Sequence, residues 1–366
     1  MARDHKRIGL FLPSLDGGGA QRVVLTLANA LAARKEVHVD LVLAKMTGPF
    51  VSQIDQRVRV VNLDVKRVAM SMPGLMRYLR KESPNVVLSS LNYVNIVAIL
   101  ARAVARSSTR IVVGEHNTLS QSKSVRRRTK LVPVLMRLTY PHADLVVAVS
   151  NGVAEDLCRN VGLKRDSVHV IYNPVVREEM FAEADQKPEH KWFKDEGAPV
   201  VLGMGRLTEQ KDFGNLIRAV ALLRETRPVR LMILGEGERR QELIALVDSL
   251  GLKEYVELPG FVDNPYAFMR RAAVFALSSR WEGLPTVLIE AMACGARVVA
   301  TDCPSGPREI LEGGAWGRLV SVGDSVALAK AIEAALDDPN PPDVVSRAQD
   351  FSVDAAVNKY LDVLCG

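Results

Sequence analysis

A chain of 366 residues is long for a single core and favours two domains. With 48% hydrophobic and 25% charged residues the composition is that of an ordinary globular protein, and no run of eighteen apolar residues occurs, which excludes a membrane-spanning helix. The net charge of +6 is unevenly divided: residues 1–170 hold 26 Lys and Arg against 12 Asp and Glu, a balance of +14, while the remainder hold 22 against 30, a balance of −8.

A basic half beside an acidic half points to one half facing an anionic partner. Aromatic content of only 5%, without interleaving of basic and aromatic residues, argues against nucleic acid. An anionic membrane surface or a phosphorylated acceptor fits better. The start, MARDHKRIGLFLPS, has no cleavable signal pattern. Cys158, Cys294, Cys303 and Cys365 are scattered without metal-ligand spacing, as in reduced thiols of a cytoplasmic protein.

RIGLFLPS (7–14) reads as a strand, LDGGG (15–19) as a loop, and residues 21–36 as a helix with Val23, Val24, Leu27 and Leu31 on one face. Further strands are expected at 37–44, 58–64, 85–90, 110–116 and 144–150, with helices at 75–81, 96–104 and 153–161. Several strands are nearly continuous in Val, Ile and Leu, as parallel strands covered on both faces are. VHVIYNPV (168–175) is a last strand leaving at Asn-Pro, and the polar, aperiodic stretch 182–198 reads as a connection. A second alternation follows, with strands at 199–207, 229–237, 256–261, 274–279 and 297–302. Its helices are expected at 213–225, 239–250, 265–271 and 326–336, with one more opening at Pro285 and closing at Gly295. The prolines of DPNPPD (338–343) interrupt the pattern, and 351–364 is helical again. The expected fold class is α/β, with two doubly wound, parallel-sheet, Rossmann-like domains (1–176 and 177–344) whose carboxyl-edge loops face a cleft.

Five features carry candidate chemistry. In SSRWEGLPTVLIEAMACG (278–295), Glu282 lies on a strand-to-helix turn and Glu290 inside the helix. Free N–H groups at such a turn favour an anion, and glutamates beside an anion site suit neutral hydroxyls, so a sugar nucleotide fits both. The loop Asp16-Gly-Gly-Gly-Ala20 opens a helix but is not the dinucleotide GxGxxG, and no acid closes the second strand, where Ala44 and Lys45 stand. Arg206 and Lys211 follow one strand and can converge on a diphosphate. His116 closes another. Each also fits a plain structural role: an amphipathic helix, a tight turn, two surface cations, a packed histidine. No Asp-x-Asp or histidine cluster points to a metal. Finally, Lys123, Arg126, Arg127, Arg128 and Lys130 precede an apolar run within 122–140, which reads either as an interfacial segment or as a basic start to a buried helix.

Together these pieces resemble the retaining glycosyltransferases of family 4, which have the GT-B fold. The resemblance covers nearly the whole chain and is strongest from 199 to 303. It rests on Gly205-Arg206-Leu207 with Lys211, LGEGERR (234–240), LPGFVDN (258–264), the 278–295 stretch and RVVATDCPSGPREI (297–310). It implies that Glu282 contacts the transferred sugar and Glu290 the ribose hydroxyls, while Arg206 and Lys211 hold the diphosphate. The backbone of Gly283, Leu284 and Thr286 would add the helix-end contribution, Val262 would contact the base, Gly18 and Gly19 would lie beside the phosphates, and His116 near the sugar. The family's last helix returns to the first domain, which assigns 345–366 to it. Asp212 departs from the family, which often has glycine there. The implied activity is metal-independent, cofactor-free transfer from a UDP-sugar, with retention, to a bacterial cell-surface glycan or lipid-linked oligosaccharide. A lipid-linked diphosphate at the anionic inner face of the cell membrane is the expected acceptor, and the enzyme would be peripheral there. The rivals are a sugar-nucleotide epimerase of the same fold, a nicotinamide-dependent oxidoreductase, disfavoured by the missing GxGxxG, and a binding module for anionic polymers.

Overall fold

The computed structural model describes residues 6–16, 18–119, 131–194 and 197–366. The chain divides into two compact units, Met1–Pro174 with Val353–Gly366, and Val175–Ser352.

In the first unit the described strands are β1 (Lys6–Leu12), β2 (Val37–Leu43), β3 (Arg59–Asn62), β4 (Val86–Ser90), β5 (Arg110–Glu115), β6 (Leu145–Ala148) and β7 (Val168–Val170). They form one sheet in the order β3-β2-β1-β4-β5-β6-β7, and every pairing is parallel. The unbroken apolar runs of the sequence now have a cause: β4 is buried along its length and β1 from Ile8 to Leu12, because helices cover both faces. The helix Val353–Cys365 joins this unit and places Val357, Tyr360 and Leu364 in the same core as Val24, Leu27 and Leu31 of the helix Gly19–Ala32.

The second unit holds β8 (Val200–Met204), β9 (Arg230–Leu234), β10 (Val256–Gly260), β11 (Val274–Leu277), β12 (Val298–Thr301) and β13 (Arg318–Val320), in the order β10-β9-β8-β11-β12-β13. Strand order reverses between β1 and β4 in one sheet and between β8 and β11 in the other. Loops leaving the carboxyl ends at such a reversal diverge to opposite faces and leave a crevice for a ligand. The glycine loop, Arg206–Lys211 and the Glu282 loop all leave these strands.

One expectation needs correction, and one reading left open narrows. Residues 182–198 are not a plain connection: the helix Glu179–Asp185 packs against the helix Pro265–Arg271, and Arg271 donates to Ala184 O and Asp185 O, both at 3.0 Å. Trp192 is buried there, so a few apolar anchors in polar sequence suffice to fix the segment. The helix Val132–Thr139 is not fully buried either. Met136 and Thr139 face inward, but Leu131, Val134, Leu135 and Leu138 are exposed. Among the described residues no helix is long and apolar enough to cross a membrane.

Candidate functional site

The ends of β8, β9 and β10 are stitched together by their backbones. Gly205 N–H donates to Leu234 O at 3.0 Å, Gly235 N–H to Gly260 O at 2.7 Å, and Leu207 N–H to Glu236 O at 2.9 Å. Gly235 has φ 125°, and a Cβ there would lie 2.2 Å from Gly205 O, so only glycine permits this approach. The GRL, LGEG and LPG motifs are therefore one packed edge. Arg206 stands on it, exposed and without an ion pair among the described residues.

Lys211 lies in the short turn that follows, its stem against Gly205. Asp212 then adopts the left-handed conformation, φ 45° and ψ 45°. This accounts for the departure from the family's glycine: aspartate is among the few side chains that tolerate this region, and its carboxylate is held by Arg280 Nε at 2.9 Å.

Residues Ser278 and Ser279, expected within a strand, leave the ladder after Leu277 to build the site. Ser278 Oγ donates to Lys211 O at 2.7 Å, and Ser279 Oγ to Glu282 Oε1 at 2.6 Å. Glu282 is 6% exposed, and Lys211 Nζ pairs with its Oε1 at 2.6 Å. Gln210 Nε2 reaches Trp281 O at 2.9 Å and Glu282 Oε2 at 3.4 Å. Lys211, expected to serve the diphosphate, is thus also the partner of the buried glutamate. An ammonium carries three donors, so the two roles are compatible.

The helix Thr286–Ala293 follows. Pro285 occupies its N-cap and not its first turn, with ψ 98°, and no side-chain cap or first-turn acid competes for the first N–H groups. Glu290 is buried inside the helix, which closes as expected: Gly295, φ 79°, donates to Met292 O and Ala296 to Ala291 O. Ser305 Oγ anchors Gly283 O at 2.8 Å, and Leu284 is buried, while Thr286 is half-buried. Burial, reinforced by the nearby Glu282 charge, pushes the Cys303 thiol up to about 12, which makes it inert. Val262 is half-buried beside Phe261, which is 80% exposed. The set offers cations and N–H dipoles to an anion and carboxylates to hydroxyls. A cavity of about 300 Å³ in the same unit, lined by Gly295, Arg297, Trp316 and Pro341, includes none of Arg206, Lys211, Glu282 and Glu290.

In the first unit, Gly18 is the N-cap of the helix Gly19–Ala32, whose first turn has neither a side-chain cap nor an acid. Gly19 opens onto space. His116 lies one residue past β5, buried, with Nδ1 lacking a hydrogen-bond partner among the described residues. Burial lowers it to about 4, so it is a neutral imidazole at physiological pH. Sequence reasoning missed its neighbours. Glu115 is buried and pushed up to about 7 by burial, and it accepts from Asn95 Nδ2 at 2.9 Å and from the Tyr140 hydroxyl. Only the acidic residue inside GEHN hinted at this. Lys123, Arg126, Arg127, Arg128 and Lys130 lie outside the described residues.

Comparison with known proteins agrees with this geometry. Residues 185–350 match the family described as Glycosyl transferases group 1, and residues 17–179 match Glycosyltransferase Family 4. A Campylobacter jejuni protein named N-acetylgalactosamine-N,N'-diacetylbacillosaminyl-diphospho-undecaprenol 4-alpha-N-acetylgalactosaminyltransferase is 34% identical over 343 residues, 91% of each chain. A second C. jejuni α-1,4-N-acetyl-D-galactosaminyltransferase, named for a PP-undecaprenol-linked glycan, is 27% identical over 98% of each chain. Among solved structures, Anabaena Alr3699/HepE in complex with UDP and glucose superposes with a TM-score of 0.81 at 21% identity, over 99% of this chain and 100% of that one. The chain belongs to the glycosyltransferases of family 4 and has the GT-B fold.

Proposed function

We propose that this glycosyltransferase moves a sugar from a UDP-sugar to a lipid-linked diphosphate acceptor, with retention and without a metal, at the inner face of the cell membrane. The observation that carries the reading is the Lys211–Glu282 pair at 2.6 Å beside the uncapped start of the helix Thr286–Ala293. It sets a carboxylate that suits sugar hydroxyls next to a cation that suits a phosphate, which supports the reading. Charge building on the departing diphosphate meets Arg206, Lys211 and the N–H groups around Gly283, Leu284 and Thr286. Glu290 takes the ribose hydroxyls, Val262 the base, and the Gly18–Gly19 helix end the phosphates. His116, neutral, hydrogen-bonds the transferred sugar.

UDP in the Anabaena complexes supports the choice of nucleotide, and the undecaprenol-linked names of the Campylobacter relatives support the acceptor. Those relatives are transferases, which favours transfer over epimerisation. The exposed row Leu131, Val134, Leu135 and Leu138, next to the cations Lys123, Arg126, Arg127, Arg128 and Lys130 in sequence, supports docking on an anionic bilayer. The test is a screen of UDP-sugars against undecaprenyl diphosphate-linked acceptors, with the anomeric configuration of the product read by NMR. An inverted product rejects retention. Free UDP with an epimerised sugar and no transfer rejects the whole reading.

A further inference from the structure

The carboxyl end of β5 carries buried polar side chains for which the donor chemistry has no use. Glu115, the last residue of β5, is 3% exposed. Its Oε1 accepts from Asn95 Nδ2 at 2.9 Å and from the Tyr140 hydroxyl. Asn95 Nδ2 also reaches the Tyr140 hydroxyl and Gly114 O, both at 3.0 Å, and Ser89 Oγ donates to Asn95 Oδ1 at 2.7 Å. Oε1 accepts in both contacts, so they hold with the carboxyl ionised or with its proton on Oε2. Three elements are tied at one point: β5, the first turn of the helix Asn92–Ala105, and Tyr140 directly after the helix Val132–Thr139.

The chain leaving β5 is pinned again at Leu119, whose N–H donates to Asp156 Oδ2 at 2.6 Å. Between the pins, His116 Nδ1 and Thr118 Oγ1 are buried without hydrogen-bond partners among the described residues. Buried polar atoms are nearly always paired, so two unpaired ones on a segment held at both ends are poised for a ligand.

We propose that Glu115, with Tyr140 and Asn95, is a latch that positions His116 for the transferred sugar and couples it to the helix Val132–Thr139. The inference rests on the reading of His116 given above and names a part of the first unit that sets it. The opposite side of that helix exposes Leu131, Val134, Leu135 and Leu138, so seating of this face on an acceptor-bearing surface reaches Glu115 through Tyr140, one peptide bond beyond the helix. The latch residues act through His116 and are positioning residues. The titratable groups around Glu115 are Tyr140 and Asp156, with His116 next in the chain.

Tyr140→Phe removes one hydroxyl and keeps the ring packing, and Glu115→Gln keeps the shape. In the full chain each variant should lower kcat on the order of tenfold, because a small misplacement of a contacting group is costly. UDP affinity by calorimetry should hold within about twofold, since none of the residues assigned to the nucleotide lies on this segment. The His116 ring resonances of isotope-labelled protein should move in both variants, while those of His169 and His190 stay. If Glu115→Gln does not fold, Tyr140→Phe decides alone. Wild-type kcat with unmoved His116 resonances in Tyr140→Phe overturns the latch, as does a loss of UDP affinity in step with kcat. If the wild type transfers no sugar from any UDP-sugar, the functional reading is what fails, and the His116 resonances still judge the latch.

Discussion

Strand-end loops in the two units are stabilised in opposite ways. In the second unit three charges of the edge are answered by near neighbours: Lys211 by Glu282, Asp212 by Arg280, Glu236 by Arg240. At the end of β5 in the first unit, a carboxyl, a phenol, an amide and an imidazole are buried together without any cation paired to Glu115 among the described residues. A loop that must receive a diphosphate has to hold several cations apart, and interleaved carboxylates prevent their mutual repulsion from opening it. A segment that presents a neutral imidazole needs depth and fixed direction, which neutral hydrogen bonds supply. Charge pairing builds the one and burial the other.

The largest effect is expected where this contrast is sharpest. Arg206 is exposed and makes no ion pair among the described residues, so its removal leaves no buried charge stranded. Arg206→Ala should lower kcat by roughly a hundredfold or more, the usual loss on deleting a group that meets transition-state charge, with unfolding unchanged. Unchanged kcat removes Arg206 from the leaving-group site.

Burial as an organising force makes a prediction of its own in the first unit. Glu115 stands at about 7 against 4.5 for an ordinary glutamate, chiefly through burial. A folded-state value raised above the unfolded one means that the native state binds the proton more tightly. The resulting stability is complete below pH 4.5 and is lost as pH rises through about 7. The whole change amounts to roughly 3 kcal/mol at about 1.4 kcal/mol per pH unit. Glu115→Gln lacks this term, so its stability relative to wild type should improve by up to about that amount between pH 5 and pH 8. Chemical unfolding across that range decides it, and parallel pH profiles for the two proteins would contradict the assignment.

How much of this was legible in the sequence follows from the same contrast. The second unit was readable because its site residues lie within short motifs: Gly205 to Lys211 and Ser278 to Glu290 are each continuous, and glycine marks the close approaches. Even there the sequence hid that Ser278 and Ser279 leave β11 to serve Lys211 and Glu282, since VFALSS reads equally well as six strand residues. In the first unit Glu115 meets Asn95 and Tyr140 across separations of 20 and 25 residues, which no local pattern encodes. The edge strand β13 was missed because three half-buried residues leave too little alternation. The helix Val132–Thr139 was ambiguous for another reason: apolar residues all round do not say which side has a partner.

The two glutamates offer a smaller and finer test within the second unit. Glu282 already has Lys211 and Ser279 on Oε1, and its proposed sugar contact matters only with a donor sugar present. Glu282→Gln should therefore leave UDP affinity within about twofold while impairing transfer. Glu290→Gln, on the proposed ribose contact, should weaken UDP binding by about tenfold, one good hydrogen bond to a charged group. Equal losses of UDP affinity by calorimetry would erase the division of roles.

The exposed face of the helix Val132–Thr139 tests the first unit from outside. Replacing Leu131, Leu135 and Leu138 together by Ser should weaken sedimentation with anionic liposomes by about fivefold, since each leucine inserts only in part. High salt should weaken binding further through the neighbouring cations. If the wild type does not bind such liposomes at low salt, or both proteins bind alike, a water-borne acceptor becomes the better reading.

The smallest effect expected is none at all, and it returns to the charge pairing of the second unit. A metal that bridged the donor diphosphate would need carboxylate or imidazole ligands beside it. Glu282 is committed to Lys211 and Ser279, Asp212 to Arg280, and Glu236 to Arg240, so these three acids of the edge are already answered by cations. On the proposed reading, positive charge for the leaving diphosphate would come from Arg206, Lys211 and the start of the helix Thr286–Ala293, in place of a divalent ion. Transfer should proceed at the same rate, within about twofold, after EDTA treatment and on addition of Mg²⁺ or Mn²⁺. Activity abolished by EDTA and restored by either ion would show that the cations of this edge are insufficient alone.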